Sequence, residues 1–391
     1  MRPGPVPPLT AEEELHWIAL RIVPGLGARR GMALLNQFRT PQAIFAASPT
    51  ELQSQGVSPS VARSISSGCV FDEAVTQQER MRTLGVSVIP VFDRRYPPML
   101  TEIFDPPILL FARGNVELLQ TLMLGIVGTR RPTPYGVTVT ERLAEDLAKF
   151  GFTISSGMAR GVDTSAHHSA LKVDGNTVAV FGCGIDQVYP SENRRLAEQI
   201  MSKGLVVSEY AVGSPAYPQN FPVRNRIISG MSLGVLVIEG AQYSGSAITA
   251  RLAMEQGREV FAVPGNITSK ASWGPNLLIK QGAKLVQEAS DVAEELTADT
   301  RRRVASQSRN SLFFNEIERT PEVDQALFAG PMAPVFRSVL AALKPDSATQ
   351  LDTLVESLEG ISSSEIIAAL FELELTGRVR QLAGKQFVKN I

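Results

Sequence analysis

The chain has 391 residues, of which 44% are hydrophobic and 20% are charged, a composition typical of a globular protein with two or three domains. Its formal net charge of −1 excludes a global positive field, so any binding to nucleic acid must come from a local basic surface. No uncharged apolar run reaches the ~18 residues of a membrane span, and the N-terminal sequence lacks the apolar core of a signal peptide, so we expect a cytoplasmic protein with no membrane partner.

The N-terminal part of the chain is predicted to be helical. Residues 1–10 are rich in proline and predict a disordered tail, and residues 11–75 carry helical patterns that predict a small domain of the helix-hairpin-helix or SAM-like type. The turn at 24–27, Pro-Gly-Leu-Gly, separates two helical patterns and resembles the helix-hairpin-helix element, whose turn amides can face a phosphate. A turn that only packs two helices together is the alternative.

Residues 76–297 predict an extended Rossmann-like α/β domain. A short, proline-rich and strand-like extension at 84–114 leads into it, and from 122 to 296 apolar strand patterns alternate with helical ones. Because the strands are apolar along their whole length, both faces of the sheet must be covered, which is typical of a doubly wound parallel sheet. The predicted strands are LMLGIVG, FTISSG, TVAVFG, GLVVSEY, GVLVIEG and REVFAVPG, with a shorter seventh at AKLVQ.

The C-terminal part predicts a linker at 298–333 and a winged-helix domain at 334–391. Three helical patterns, at 335–343, 349–358 and 362–376, precede the two short strand patterns RVRQL and KQFVK. The predicted recognition helix, SSSEIIAALFELELT, carries three acidic residues and no basic one. Because acidic side chains in a groove would repel phosphate, we predict that this winged helix contacts protein or regulates the chain and does not read DNA.

The turn after the first predicted parallel strand, in the stretch IVGTRRPTPYG, does not match a dinucleotide-binding loop. Its glycines, Gly125, Gly128 and Gly136, lack the G-x-G-x-x-G spacing, and the next strand ends in Ser-Ser-Gly with no acid to hold a ribose. The Gly-Lys-Ser/Thr triplet of a Walker A loop occurs nowhere in the sequence. We therefore predict no nucleotide cofactor.

Glycines, hydroxyls and arginines gather where the predicted strands end. Open α/β sheets bind ligands in the crevice outside these ends. Glycine amides and hydroxyls donate to oxyanions, arginines fork onto phosphate oxygens, and an aromatic ring can stack on a base. The sequence therefore predicts an anion site, with the candidate residues Gly128, Thr129, Arg130, Ser156, Gly157, Arg160, Asn220, Phe221, Arg224, Asn225, Arg226, Gly245 and Ser246.

Each of these residues also has a structural interpretation. Glycine after a strand is common turn chemistry. The arginines at 224 and 226 have three possible ion-pair partners in the same domain, namely Asp163, Glu209 and Glu239.

The sequence offers no catalytic or metal-binding constellation. His167 and His168 are adjacent on a predicted helix, so they point to different faces and do not form a metal pair. Neither an H-E-x-x-H motif nor a nucleophile elbow is present. We therefore predict neither a metal nor a catalytic residue, and a protein that is not an enzyme.

An extended set of motifs in the predicted core resembles one family. The motifs VGTRRPTPYG, SGMARGVDTSAHHSAL, VFGCGIDQVYPSEN, SEY, NFPVRNRIISG, SGSAITARLAMEQGREVFAVPG and GPNLLIKQGA follow one another between residues 127 and 283. Together they resemble the DNA-processing protein A family, DprA, also called Smf, and the resemblance is strongest from 87 to 293. It implies a Rossmann-like core without a nucleotide cofactor.

The resemblance also implies a function and a set of partners. Members of the family bind and protect single-stranded DNA and load the recombinase RecA onto strands coated by single-strand binding protein, in natural transformation. They form homodimers through the Rossmann-like domain. Carried onto this chain, the DNA pocket coincides with the anion site described above. One departure is the stretch AYPQNF, which lacks the lysine that members often place shortly before the phenylalanine.

The alternative function is that of a nucleotide-binding enzyme. The predicted core also resembles the lysine-decarboxylase-like phosphoribohydrolases, which carry P-G-G-x-G-T-x-x-E at the fifth strand-to-helix turn. The equivalent turn here reads EGAQYSGSAITA and has Ala250 where the catalytic glutamate would fall. This substitution argues against hydrolysis.

Overall fold

The structure is a computed structural model that describes residues 9–242, 244–307, 332–343, 349–358, 360–375, 379–382 and 384–389. The chain divides into two compact units, Met1–Ser311 and Leu312–Ile391. Most of the predicted disordered tail and most of the predicted linker lie outside the described residues.

The first unit begins with helices, as the sequence predicted. Helices α1, Ala11–Ile22, and α2, Ala28–Phe38, are joined by the turn at 23–27, in which Gly25 adopts a φ of 79° that favours glycine. The helices share one apolar core with the sheet, and Gly31 of α2 packs against Ile108. They are α1 Ala11–Ile22, α2 Ala28–Phe38, α3 Pro41–Ala46, α4 Pro49–Ser54, α5 Pro59–Ser67 and α6 Phe71–Leu84.

The described part of this unit contains a nine-stranded sheet in the order β1-β2-β6-β5-β4-β3-β7-β8-β9. Strands β3 to β9 pair in parallel, which confirms the doubly wound prediction. The predicted extension supplies β1 and β2, which pair antiparallel and join the same sheet through β6. The strands are β1 Ser87–Pro90, β2 Leu109–Gly114, β3 Met123–Val127, β4 Thr153–Ser156, β5 Thr177–Phe181, β6 Leu205–Ser208, β7 Ser232–Val237, β8 Glu259–Ala262 and β9 Lys284–Leu285.

Helices follow the parallel strands. The first ten residues of the predicted linker form a further helix, α14, whose Gln307 side chain accepts from the Leu122 amide at 2.7 Å and donates to the Gly151 carbonyl at 2.9 Å. Among the described residues, no helix is both long and apolar enough to cross a bilayer. The helices are α7 Pro134–Phe150, α8 Val162–Lys172, α9 Arg194–Lys203, α10 Asn220–Met231, α11 Gly245–Glu255, α12 Trp273–Lys280, α13 Ala289–Glu294 and α14 Ala298–Gln307.

The two adjacent histidines of α8 point to different sides, as predicted. His168 is exposed, whereas His167 is fully buried with Nδ1 2.7 Å from the Thr177 hydroxyl. That hydroxyl donates its proton to the Ile154 carbonyl at 2.8 Å, so it can only accept from His167, which donates from Nδ1. Burial lowers the pKa of His167 to about 3.

This buried histidine predicts a loss of stability in acid. The unfolded chain protonates His167 near its ordinary pKa of about 6.5, whereas the folded chain does not until about 3. Between these two pH values the unfolded state binds more protons than the folded state. The free energy of unfolding should therefore fall by about 1.4 kcal/mol for each unit by which the pH is lowered. Urea denaturation at several pH values measures this slope. His167→Gln should reduce this slope, whereas the control His168→Gln, at an exposed position, should not. Equal slopes for the two variants would contradict the assignment of the slope to His167.

Among its described residues, the second unit has the three helices and two following strands predicted for a winged helix, with an additional short strand before the second helix. Its apolar core includes Phe336, Leu354 and Leu370. On α17, the predicted recognition helix, the Ile367 and Phe371 side chains are 52% and 62% exposed. The elements are α15 Ala333–Ala342, β10 Thr349–Gln350, α16 Leu351–Ser357, α17 Ser363–Leu375, β11 Val379–Leu382 and β12 Gln386–Lys389, with sheet order β10-β12-β11.

Candidate functional site

A crevice of about 470 Å³ opens at the carboxyl edge of the parallel sheet. It lies at the end of β3, where the strand order reverses because β4 pairs on one side of β3 and β7 on the other. Open α/β sheets bind ligands at this position. The predicted site residues that line the crevice are Gly128, Thr129, Arg130, Phe221, Arg224, Asn225, Gly245 and Ser246.

The loop between β3 and α7 forms one wall. Gly128 packs so closely against Val162 that a Cβ would lie 2.5 Å from a methyl carbon of that valine. The Thr129 hydroxyl accepts from the Arg131 amide at 3.2 Å, and the Thr129 carbonyl accepts from the Val162 amide at 3.3 Å. These contacts fix the backbone of the loop and leave the Arg130 side chain exposed at the crevice, with no carboxylate of the described residues in ion-pair distance.

Helix α10 forms the opposite wall through residues spaced three and four apart. Phe221, Arg224, Asn225 and Ile228 therefore lie on one face of this helix and line the crevice. Arg224 is only 4% exposed and donates from Nη1 to the Val180 carbonyl at 2.6 Å. Its guanidinium also lies 5.8 Å from the centre of the Phe221 ring. Arg224 is thus a buried charge next to the Phe221 ring.

Asp163 is a buried carboxylate whose charge favours the charged form of Arg224, although the two side chains are farther apart than ion-pair distance. Its carboxylate is 7% exposed and accepts from the amides of Gly157 at 3.1 Å and Ala159 at 3.3 Å. Burial raises the pKa of Asp163, while the charge of Arg224 and the two amide bonds oppose that shift. Gly157 has no room for a side chain, because a Cβ there would overlap the Arg224 guanidinium.

The N-terminus of α11 contributes hydroxyls and backbone amides. Ser244 caps the helix by accepting from the Ala247 amide at 3.3 Å, and its hydroxyl lies 2.8 Å from that of Ser246. Gly245 is the first helical residue and has open space where a Cβ would be. A helix N-terminus attracts anions through its free amides and its dipole. Ser244 was missed as a site residue, although a serine directly before a helical pattern is a capping signal.

Five of the thirteen predicted residues do not line the crevice, namely Ser156, Gly157, Arg160, Asn220 and Arg226. Ser156 is fully buried, and its hydroxyl donates to the Ile126 carbonyl at 2.7 Å, so it holds β4 to β3. Arg226 points away from the crevice and pairs with Glu209 at 2.7 Å and Asp105 at 3.2 Å. Asn220 only begins α10. For Arg226 the ion-pair interpretation is correct and the anion-site assignment is wrong.

Arg160 lies at a smaller recess beside the crevice. Its guanidinium forms two bonds with the Glu192 carboxylate, at 2.6 and 2.8 Å. The recess also touches Gly157 and Tyr189 and shares several residues with the crevice. Arg160 is therefore a neighbour of the crevice and not part of its lining.

The acidic groups near the crevice are engaged in structural bonds. Glu239 is buried and accepts from the Thr133 amide at 2.9 Å and the Thr133 hydroxyl at 2.6 Å, so it pairs with no arginine in the described structure. Ala250 is fully buried on α11. Within the described ranges, no group of three or more His, Cys, Asp and Glu side chains is placed to hold a metal. The arrangement is suited to holding an anion beside an aromatic ring.

The comparisons with known proteins agree with the fold and the motifs. Residues 87–297 match the family model of DNA recombination-mediator protein A, and residues 329–385 match that of the DprA winged helix domain. The DNA processing protein DprA of Bacillus subtilis is 44% identical over 216 residues, which make up 55% of this chain and 73% of that protein. Protein Smf of Escherichia coli is 40% identical over 302 residues, 76% of each chain.

A solved structure gives the same result. The X-ray structure of DNA processing protein A from Streptococcus pneumoniae has a TM-score of 0.64 and 34% sequence identity, and the match covers 74% of this chain and 99% of that chain. The family model alone spans more than half of the 391 residues. The chain therefore belongs to the DNA recombination-mediator protein A family, DprA/Smf.

Proposed function

We propose that this protein binds single-stranded DNA in the crevice and delivers the strand to the recombinase RecA. The observation that carries the proposal is the combination, in one crevice, of the exposed Arg130, the free N-terminus of α11 and the Phe221 ring. Membership in a family of recombination mediators supports the same function. Loading onto strands coated by single-strand binding protein, a cytoplasmic location and a homodimer are further parts of the proposal.

The mechanism would be electrostatic attraction combined with stacking. Phosphates would lie against Arg130 and the amides of Gly245 and Ser246, and a base would lie on Phe221, where stacking contributes about 1–3 kcal/mol per base in other single-strand binders. Only an unpaired base can present its face to the ring, so the crevice should prefer single strands. The guanidinium of Arg224 would help to hold the Phe221 ring in place, without touching a phosphate.

We propose that the protein does not act as an enzyme on the strand. The phosphoribohydrolase alternative needs a carboxylate on α11 at the position of Ala250, which is fully buried. The nearby carboxylates of Asp163 and Glu239 are occupied by backbone amides. Release of base or phosphate from a nucleoside monophosphate by the purified chain would favour the alternative.

Arg130→Ala should weaken the binding of single strands and reduce its dependence on salt. For single strands, each neutralised phosphate contributes a slope of about −0.7 in log K against log salt, so the variant should lose about one such increment. Fluorescence anisotropy of a labelled strand of about 20 nucleotides and of its duplex, across a salt series, measures both quantities.

The matched control is Arg142→Ala, which removes the same charge from an exposed position on α7. It should keep the native slope. Equal slopes for both variants, or native binding that favours the duplex, would overturn the proposed site. Delivery is measured as the ATP hydrolysis of RecA on strands coated by single-strand binding protein, which Arg130→Ala should slow.

A further inference from the structure

The recess beside the crevice contains an exposed aromatic side chain, Tyr189, that is not part of the crevice lining. Tyr189 is 45% exposed, and its ring centre lies 5.2 Å from that of Phe221 with the ring planes inclined at 38°. The recess shares Arg130, Phe221 and Arg224 with the crevice, so the two are continuous. A strand whose base lies on Phe221 would therefore pass next to Tyr189.

The loops that carry this recess are fastened to each other. Asn193 donates from its side-chain amide to the Met158 carbonyl at 2.9 Å and to the Thr164 hydroxyl at 2.8 Å. That hydroxyl in turn donates to the Ala159 carbonyl at 2.7 Å. These bonds join the segment that follows Tyr189 to the segment that carries Arg160. The segments that carry the aromatic ring and the guanidinium are thus joined through Asn193 before any ligand arrives.

The ion pair between Arg160 and Glu192, at the rim of the recess, could exchange its carboxylate for a phosphate. The side chains of Arg160 and Glu192 are 57% and 54% exposed, and the carboxylate accepts from the guanidinium through both oxygens. Exposed pairs of this kind contribute little to stability. A phosphate offers the same two-oxygen geometry to a guanidinium as a carboxylate does. The phosphate of a bound strand could therefore replace Glu192 without disturbing the fold.

We propose that Tyr189 and Arg160 form a second nucleotide subsite for the same strand. In this subsite a nucleobase lies on the exposed face of Tyr189, next to the base on Phe221, and the adjacent phosphodiester displaces Glu192 from Arg160. The inference rests on the proposed binding of single strands. It adds a stacking residue and a competing carboxylate that the crevice alone does not contain.

The stacking part is tested with Tyr189→Leu and the conservative control Tyr189→Phe, on a thymidine strand and on an abasic strand with the same number of phosphates. Tyr189→Leu should weaken binding of the thymidine strand about tenfold, because one stacked base is lost. It should leave the abasic strand unaffected, and Tyr189→Phe should bind like the native chain. Equal losses on both strands, or no loss on either, would overturn the subsite.

The ion-pair part is tested with Glu192→Gln in two backgrounds. Removal of the carboxylate should strengthen binding several-fold in the native chain, because Arg160 no longer has to be released. The same substitution in Arg160→Ala should change binding by much less. An equal gain in both backgrounds would mean a general charge effect and would overturn the exchange. If the native chain binds single strands with a salt slope that depends on Arg130, but the Tyr189 and Glu192 variants do not behave as expected, only the subsite is wrong. If the native chain does not bind single strands, the proposed function itself is refuted.

Discussion

Replacing Asp163 by alanine should lower the free energy of unfolding by about 3–5 kcal/mol, the usual cost of leaving a buried charge uncompensated. The carboxylate opposes the charge of Arg224, which is 4% exposed, and accepts from two amides that would lose their acceptor. Urea denaturation followed by tryptophan fluorescence measures the change. Both tryptophans, Trp17 and Trp273, belong to the first unit and so report on the sheet.

Two control variants separate the charge from the hydrogen bonds. Asp163→Asn keeps an oxygen for the amides of Gly157 and Ala159 but removes the charge, so its loss isolates the electrostatic part. In the double variant Asp163→Ala with Arg224→Met, the orphaned charge is gone, and the loss should be smaller than that of Asp163→Ala alone. A double variant that is less stable than Asp163→Ala would show that Arg224 stabilises the fold without needing the carboxylate.

Gly161→Ala should be the second severe substitution, and it should damage the crevice as well as the fold. Gly161 has a φ of 77° and a ψ of −123°, a conformation that costs other residues about 1–3 kcal/mol. A Cβ there would also lie 2.5 Å from the Thr129 carbonyl and 2.7 Å from the Pro132 ring, an overlap worth about a further 1–3 kcal/mol. Relief of the overlap would move the loop that carries Arg130, so binding of single strands should weaken too.

Gly257→Ala is the matched control for this substitution. Gly257 also has a positive φ, of 67°, but open space around the position of a Cβ, so it carries the cost of a positive φ without the overlap. Denaturation midpoints of the two variants, measured together with their affinity for single strands, separate the cost of the overlap from the cost of the positive φ. If Gly161→Ala is no less stable than Gly257→Ala, or if it binds strands like the native chain, the β3–α7 loop does not depend on the close approach of Gly161 to Thr129 and Pro132.

The parallel strands and the edge that holds the crevice could be predicted because both depend on local pattern. A run such as LMLGIVG is apolar throughout, and the strand built from it, Met123–Val127, is buried at every position. Once the strands are parallel, their carboxyl ends must share one edge. By contrast, pairing of β2 with β6 joins residues about 95 positions apart in sequence, such as Ala112 and Val207, and no local signal specifies it.

The error at Arg226 could have been avoided from the sequence. Residues 220–226 were assigned to the end of a predicted strand, whereas they form the first two turns of α10. On a helix, Arg224 and Arg226 differ by about 200° in direction, so only one of them can face the crevice. Helical spacing would have selected Phe221, Arg224, Asn225 and Ile228 and rejected Arg226. The burial of Ser156 is different, because its bond to the Ile126 carbonyl depends on the pairing of two strands.

The division of charge between the two crevice arginines also required the structure. Arg130 is exposed on a loop, whereas Arg224 is 4% exposed and its guanidinium donates to the Val180 carbonyl. Both arginines look equally suited to a phosphate in the sequence. Of these two arginines we expect only Arg130 to bind a phosphate directly, and substitution of Arg224 to report mainly on stability.

Photo-crosslinking would test the central claim, that the strand lies in the crevice, most directly. A single strand substituted with 5-iodouracil would be crosslinked to the native full-length chain, and the modified peptide would be identified by mass spectrometry. We expect the crosslink at Phe221, in the peptide that contains Asn220–Met231, and its loss in Phe221→Leu. Crosslinks confined to the winged-helix unit, or to helices α1 and α2, would place the strand elsewhere and contradict the account.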